Sequence, residues 1–115
     1  MDNVDSTKQY NCPVDVTVEA IGGKWKPAIL WQLRNGAVRF TELKTRVKGI
    51  TQKVLTQQLR ELEAAGLVQR DVFMEMPLRV EYLLTERGKT LFPVLQAMAD
   101  WGFSQCPEIA DWILC

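Results

Sequence analysis

Hydrophobic positions along this chain fall into blocks whose spacing changes from helical to alternating and back again. Leu55, Leu59 and Leu62 recur one helical turn apart, behind Thr51 at an N-cap position and ahead of Gly66-Leu67, which suits a left-handed stop. The spacing predicts a helix over about 52–65. A shorter helix carrying Leu43 and Val47 precedes it, with Thr41 as its predicted N-cap, and Lys48-Gly49-Ile50 makes a tight turn between the two. Further upstream, Trp25, Ile29 and Leu33, supported by Ala28, form the buried stripe of a helix from about Trp25 to Arg34. Pro27 falls in its first turn, Asn35-Gly36 closes it, and Trp31 falls off the stripe, free to face a partner or the N-terminal helix. Cys12 to Ile21 fits both periods, but Pro13, at the favoured first helical position, tips it towards helix.

After the helix pair the period becomes two. Val68 to Phe73 and Leu78 to Leu84 are strand-like, and Met74-Glu75-Met76-Pro77 between them makes a hairpin whose one face must pack on the helices. Thr85 caps a last helix, predicted over about 86–102, with Leu91, Val94, Leu95, Met98 and Trp101 apolar and Pro93 inside as a kink. Phe92 and Ala99 widen its apolar surface beyond what one small core covers, which implies a partner. Ile109, Trp112 and Ile113 behind Cys106-Pro107 predict a further helical piece.

Three helices followed by a hairpin define an α+β, mainly helical architecture, the winged helix-turn-helix. In it the second helix of the pair enters the DNA major groove while the wing meets the backbone or the minor groove. On the 52–65 helix, Lys53, Thr56, Gln57 and Arg60 lie opposite the leucine stripe. The charge distribution agrees. Between Arg39 and Arg60 six basic residues face one acid, Glu42, a local balance of +5 in a chain whose formal net charge is zero. Residues 1–20 hold four acids and one Lys, and residues 100–115 hold three acids and no base. The candidate DNA contacts are Thr41, Lys44, Thr51, Gln52, Lys53, Thr56, Gln57 and Arg60, joined on the wing by Arg79, with Arg70 beside it. For Arg79 the alternative is a pairing with a cross-strand acid such as Asp71. For the helix pair as a whole the alternative is a solvated amphipathic pair, or a winged helix that docks protein rather than DNA.

Composition narrows the chemistry. The 115 residues suit one folded domain with a modest core, behind a mobile leader at 1–11. Within the 12–115 domain, 41–65 is the helix-turn-helix, 68–84 the wing, and 86–115 the last helix, with its partner-facing surface, and the tail. Histidine is absent and the three cysteines, Cys12, Cys106 and Cys115, lie far apart. This removes His-based triads and the usual zinc sites, and Gly22-Gly23-Lys24 lacks the spacing of a phosphate loop. An enzyme, a metal and a cofactor are therefore not expected. No apolar run approaches the roughly 20 residues of a membrane span, and the polar start is no signal peptide, so a cytoplasmic location is expected. Cys12 precedes Pro13 at a helix N-cap, where backbone N–H groups favour thiolate and nearby Asp15 opposes it. Cys106-Pro107 repeats the pattern.

The sequence resembles the HxlR-type family of winged helix-turn-helix transcriptional regulators, part of the wider MarR-like group, over about residues 12–102. The resemblance is carried by Cys12-Pro13, GGKWKPAIL at 22–30, RFTEL at 39–43, ITQKVLTQQLRELEAAGLVQR at 50–70, PLRVEYLLTERG at 77–88 and LFPVLQAMADWG at 91–102. It implies a homodimer through the terminal helices, an inverted-repeat double-stranded DNA operator, and Gln52, Lys53, Thr56, Gln57 and Arg60 on the recognition face with Arg79 on the wing. It also implies a sensor role for Cys12 towards an oxidant or electrophile, with an intersubunit Cys12 to Cys106 bridge as the specific switch. A small aromatic effector in the dimer interface, lined by Trp25, Trp31, Phe92 or Trp101, is the alternative control.

Overall fold

A computed structural model describes residues 9–109 of the chain. The first part of the predicted leader, the helical piece around Trp112 and Ile113, and Cys115 lie outside the described residues.

The elements run α1 (Pro13–Ile21), α2 (Lys26–Gln32), β1 (Val38–Arg39), α3 (Phe40–Arg46), α4 (Gln52–Ala64), β2 (Val68–Phe73), β3 (Arg79–Leu84), α5 (Glu86–Lys89) and α6 (Phe92–Gln105). This is a winged helix-turn-helix with a three-stranded antiparallel sheet of order β1-β3-β2. The ambiguous segment at 12–21 is helical, with Cys12 as N-cap and Pro13 at its start. Thr51 caps α4 by accepting a hydrogen bond from Val54 N–H, and Gly66 takes a left-handed conformation at its end.

Leu55, Leu59 and Leu62 are fully buried, as the period requires, against Leu43 of α3 and Ile29, Leu30 and Leu33 of the α2 region. Leu30, off the predicted stripe, is buried because α2 packs on α3 along one side and on α6 along another. The helix ends at Gln32, two residues short of the prediction, in a turn closed by Gly36 N–H on the Leu33 carbonyl.

Four expectations need correction. Thr41 is not the N-cap of α3. Arg39 is, because β1 pairs with β3, Arg39 opposite Glu81, and the chain passes from extended strand straight into helix, leaving Thr41 inside the first turn. The helix expected over 86–102 is two helices. Thr90 and Leu91 separate them, and Pro93 sits in the first turn of α6, where its missing N–H costs nothing. What seats α5 is tertiary. A Cβ on Gly88 would stand 2.1 Å from the Leu67 carbonyl oxygen, so only glycine lets α5 lie this close to the end of the helix-turn-helix. Thr85 reinforces the junction, its N–H bonding the Leu67 carbonyl and its hydroxyl the Gly66 carbonyl. Third, Trp31 turns to α6, lining a groove with Met98, Ala99 and Phe103, while the Arg34 guanidinium lies 4.1 Å over its ring. Finally, Cys106 is at once the C-cap of α6 and the residue that opens a short 3-10 turn, its carbonyl accepting from Ile109 N–H, but its thiol donates to Glu108 instead of capping that turn.

Candidate nucleic-acid interface

The surface around α4 is built by three elements whose polar side chains meet. Arg39 and Thr41 from the start of α3, Thr56 and Arg60 from α4, and Arg70 and Arg79 from the wing line one cleft of about 780 Å³. Phe40 and Tyr82 also line it, ring centroids 6.4 Å apart. Next to it, Gln52, Lys53, Thr56, Gln57, Arg60 and Glu61 line a shallower depression along α4. The two share Thr56 and Arg60. Seven of the nine predicted DNA contacts thus fall on one continuous surface. Lys44 is exposed on α3 outside both hollows, and the Thr51 hydroxyl is engaged as the helix cap.

Electrostatics separates this face from the rest. The ion pairs among the described residues include Lys26–Glu61, Arg46–Glu42, Arg79–Glu75, Arg79–Glu81 and Lys89–Glu86. Arg39, Lys44, Lys48, Lys53, Arg60 and Arg70 belong to none of them. Six cations of the helix pair, its leading strand and its wing thus have no ion-pair contact, against one further acid, Glu63, in the cleft, which leaves a net positive field that a polyanion would answer.

Arg79 is different. Its guanidinium lies 3.9 Å over the Phe73 ring and bonds Glu81 at 2.7 Å and Glu75 at 3.2 Å. The acids it finds are Glu75 and Glu81, not Asp71. Asp71 stands directly opposite Glu81 in the register, so Arg79 also relieves a like-charge pair. Arg70 is the freer wing cation. It faces Tyr82 across the sheet, and burial pushes that phenol above its ordinary range while the Arg70 charge beside it pulls the other way.

Phe40, Glu63 and Tyr82 of the cleft escaped the sequence reading, and so did a charged pair beside it. Glu61 lies at the edge of the helical wheel, one turn beyond Gln57, and is the carboxylate of the α4 depression. Lys26, from α2, meets it at 2.8 Å and holds its carboxyl below the usual range. The i, i+4 spacing of Gln57 and Glu61 was a usable signal; the Lys26 contact was not.

Away from this face, Cys12 is exposed at the start of α1 and its side chain makes no cap hydrogen bond. Cys106 Sγ–H donates to Glu108 Oε1 at 2.7 Å, and that carboxylate pushes the thiol above its ordinary range, the reverse of an activated N-cap thiol. The neighbouring apolar surface is uncovered: Val14 and Val18 on α1, and Phe92, Val94, Met98 and Trp101 on α6, are exposed, and Leu95 alone of α6 is buried. Of the four aromatics expected around an effector, Trp31 lines the α2–α6 groove and the other three do not. No group of three or more His, Cys, Asp or Glu residues able to hold a metal occurs among the described residues. Nor is any helix among them long and apolar enough to cross a membrane.

With this fold and this face, the chain is a transcriptional regulator on a helix-turn-helix DNA-binding scaffold. It belongs to the HxlR-like helix-turn-helix family, whose model matches residues 20–110. An HTH-type transcriptional regulator of Methanothermobacter thermautotrophicus is 51% identical over 94 residues, covering 82% of this chain and 72% of the relative. Among solved structures, the redox regulator HypR in its oxidized form is 48% identical with a TM-score of 0.77, over 81% of this chain and 96% of that one. The reduced form of the transcriptional regulator YodB from B. subtilis is 36% identical with a TM-score of 0.70, over 84% and 96%. The relatives and the fold are those of regulators, not of enzymes.

Proposed function

We propose that the protein acts as a homodimer that sets two α4 helices into successive major grooves of an inverted-repeat operator, and that chemistry at Cys12 switches this binding. The observation that carries the DNA reading is the group of six uncompensated cations around the amide and hydroxyl side chains of α4. Amides and Arg60 offer donors and acceptors to base edges, and flanking Arg39, Lys44, Lys48 and Lys53 offer charge to phosphates. Half-sites would lie about 10 base pairs apart, or a multiple, to match a two-fold dimer. The exposed apolar stripes of α1 and α6 supply the dimer surface.

Cys12 supports thiol control by its exposure at a helix start next to that dimer surface. The likeness to a regulator solved in an oxidized form adds to it. In the proposed switch a peroxide oxidises the Cys12 thiolate to sulfenic acid and leaves as the alcohol or water. The partner's Cys106 thiol then displaces water to form the disulfide. An electrophile instead adds to the Cys12 sulfur. A bridge of this kind would clamp the terminal helices of two subunits and change the spacing of the α4 pair.

The test is anisotropy of the reduced and the diamide-treated protein on its own upstream DNA. Salt-sensitive binding that oxidation changes more than about tenfold, dithiothreitol restores and Cys12→Ser makes indifferent to diamide is the expected result. Binding insensitive to salt removes the DNA reading. Tight binding indifferent to oxidation removes the thiol switch and favours a second reading, an aromatic effector in the apolar groove between α2 and α6, about 340 Å³ in volume.

A further inference from the structure

A carboxylate on a surface built for phosphates is a liability unless something neutralises it. Glu61 occupies that position, side by side with Gln57 and Arg60 in the α4 depression. Its two oxygens have separate partners. Oε1 takes Lys26 Nζ at 2.8 Å, from the first turn of α2, a side chain only 17% exposed. Oε2 accepts from Gln57 Nε2, one turn back on α4, at 3.4 Å. The second bond is long and, alone on a helix surface, would contribute only a few tenths of a kcal/mol. The first is short and charge-assisted, and it anchors the carboxylate to a different helix.

The consequence reaches the DNA-facing side. A glutamine amide is ambiguous, since it offers an acceptor at one end and a donor at the other, and a free one rotates to suit either. With Nε2 drawn towards Glu61, Gln57 turns its Oε1 away from that carboxylate, as an acceptor. In the major groove an acceptor meets the amino groups of adenine N6 or cytosine N4, and is repelled by guanine O6 and thymine O4.

We propose that Lys26, outside the recognition helix, is a positioning residue for base recognition: through Glu61 it sets the Gln57 amide, so that α4 selects an amino-bearing base, adenine or cytosine, at that position. This rests on the DNA-binding reading above and goes beyond it by assigning a preference and the residue that enforces it.

The test is selection of the full-length reduced protein on a randomised duplex pool, followed by anisotropy on the four base-pair versions of each enriched position. Wild type should show one position per half-site, relaxed by Gln57→Ala, at which adenine or cytosine is preferred by about tenfold. Lys26→Met and Glu61→Ala should each bring that ratio to within about threefold of unity, leave the rest of the motif unchanged, and keep the wild-type melting temperature to within a few degrees. Lys26→Arg should restore it. In a Gln57→Ala background Lys26→Met should change no ratio, which a merely structural role would not predict. A pool in which wild type enriches nothing overturns the DNA-binding reading and this inference with it. An enriched motif that Lys26→Met leaves untouched, weakens equally at every base, or that prefers guanine or thymine opposite Gln57, overturns this inference alone.

Discussion

Two faces of this molecule are left unfinished by folding, and they are unfinished in opposite ways. The α3–α4 face buries its leucines and exposes cations that no carboxylate pairs, Glu61 beside them being engaged by Lys26. On the α1–α6 face, Val14, Val18, Met98 and Trp101 are exposed and no cation of these two helices is present to interrupt them. Uncompensated charge calls for a polyanion, whereas uncovered apolar surface calls for another protein surface, which in the proposed dimer is a second copy. The contrast teaches that a core can be complete while the functional unit is not.

The strongest way to break the contrast is to put charge on the apolar face. Trp101, at 69% exposure, contributes little to the monomer but is the largest side chain of the proposed interface. Trp101→Asp should raise the dimer dissociation constant by about 100-fold or more in sedimentation equilibrium, with an unchanged circular dichroism spectrum. A dimer of unaltered strength would place the interface elsewhere. On the other face, Arg60→Ala should cost about 1–3 kcal/mol of operator binding in a sequence-dependent way and leave dimerisation alone. An equal loss on all DNA would make Arg60 a phosphate contact.

How far the two faces could be read from sequence differs for a physical reason. The α4 helix was legible because its leucine period, its Thr51 cap and its Gly66 stop are local signals that agree with one another. Seven of the predicted contacts lie together because they follow from that one helix, from the start of α3 and from the wing. Strand β1 was not legible, since two residues carry no period, and missing it misplaced the start of α3 by two residues. The break between α5 and α6 falls just before Pro93, which was read as a kink, but the close seat of α5 depends on Gly88 meeting the Leu67 carbonyl, twenty-one residues away in sequence, a tertiary contact that no local pattern reports. Lys26 and Glu61 are likewise joined only by the packing of α2 on α4.

A smaller effect sharpens the electrostatic half of the comparison. Lys44 is exposed, lies outside both hollows and is in no ion pair, so it should meet phosphate rather than bases. Lys44→Ala should weaken binding nearly equally on specific and random DNA and lower the slope of log affinity against log salt by about 1. A loss confined to the operator would move Lys44 among the base readers.

The smallest effect concerns the thiol at the end of α6, where the apolar face meets a carboxylate. The Cys106 thiol donates to Glu108, which raises the thiol's pKa and lowers that of the carboxyl. The two shifts bound one window. A raised thiol pKa means a contribution fully present below the ordinary thiol value and lost as pH rises through the folded one. A depressed carboxyl pKa means a contribution present above the ordinary carboxyl value and lost as pH falls through the folded one. Across neutral pH, therefore, the bond holds Cys106 as a thiol and slows its alkylation, since only thiolate attacks. In a Cys115→Ser background, Glu108→Gln should raise the rate of Cys106 modification by iodoacetamide by about two- to fivefold at neutral pH, and shift the alkaline rise of that rate to lower pH. Cys12, exposed and bonded to no carboxylate, should keep its rate. If Cys106 reacts no faster in the variant, the Glu108 bond does not restrain it. Then the order of events in the proposed bridge, with Cys12 oxidised first and Cys106 responding, loses its chemical basis.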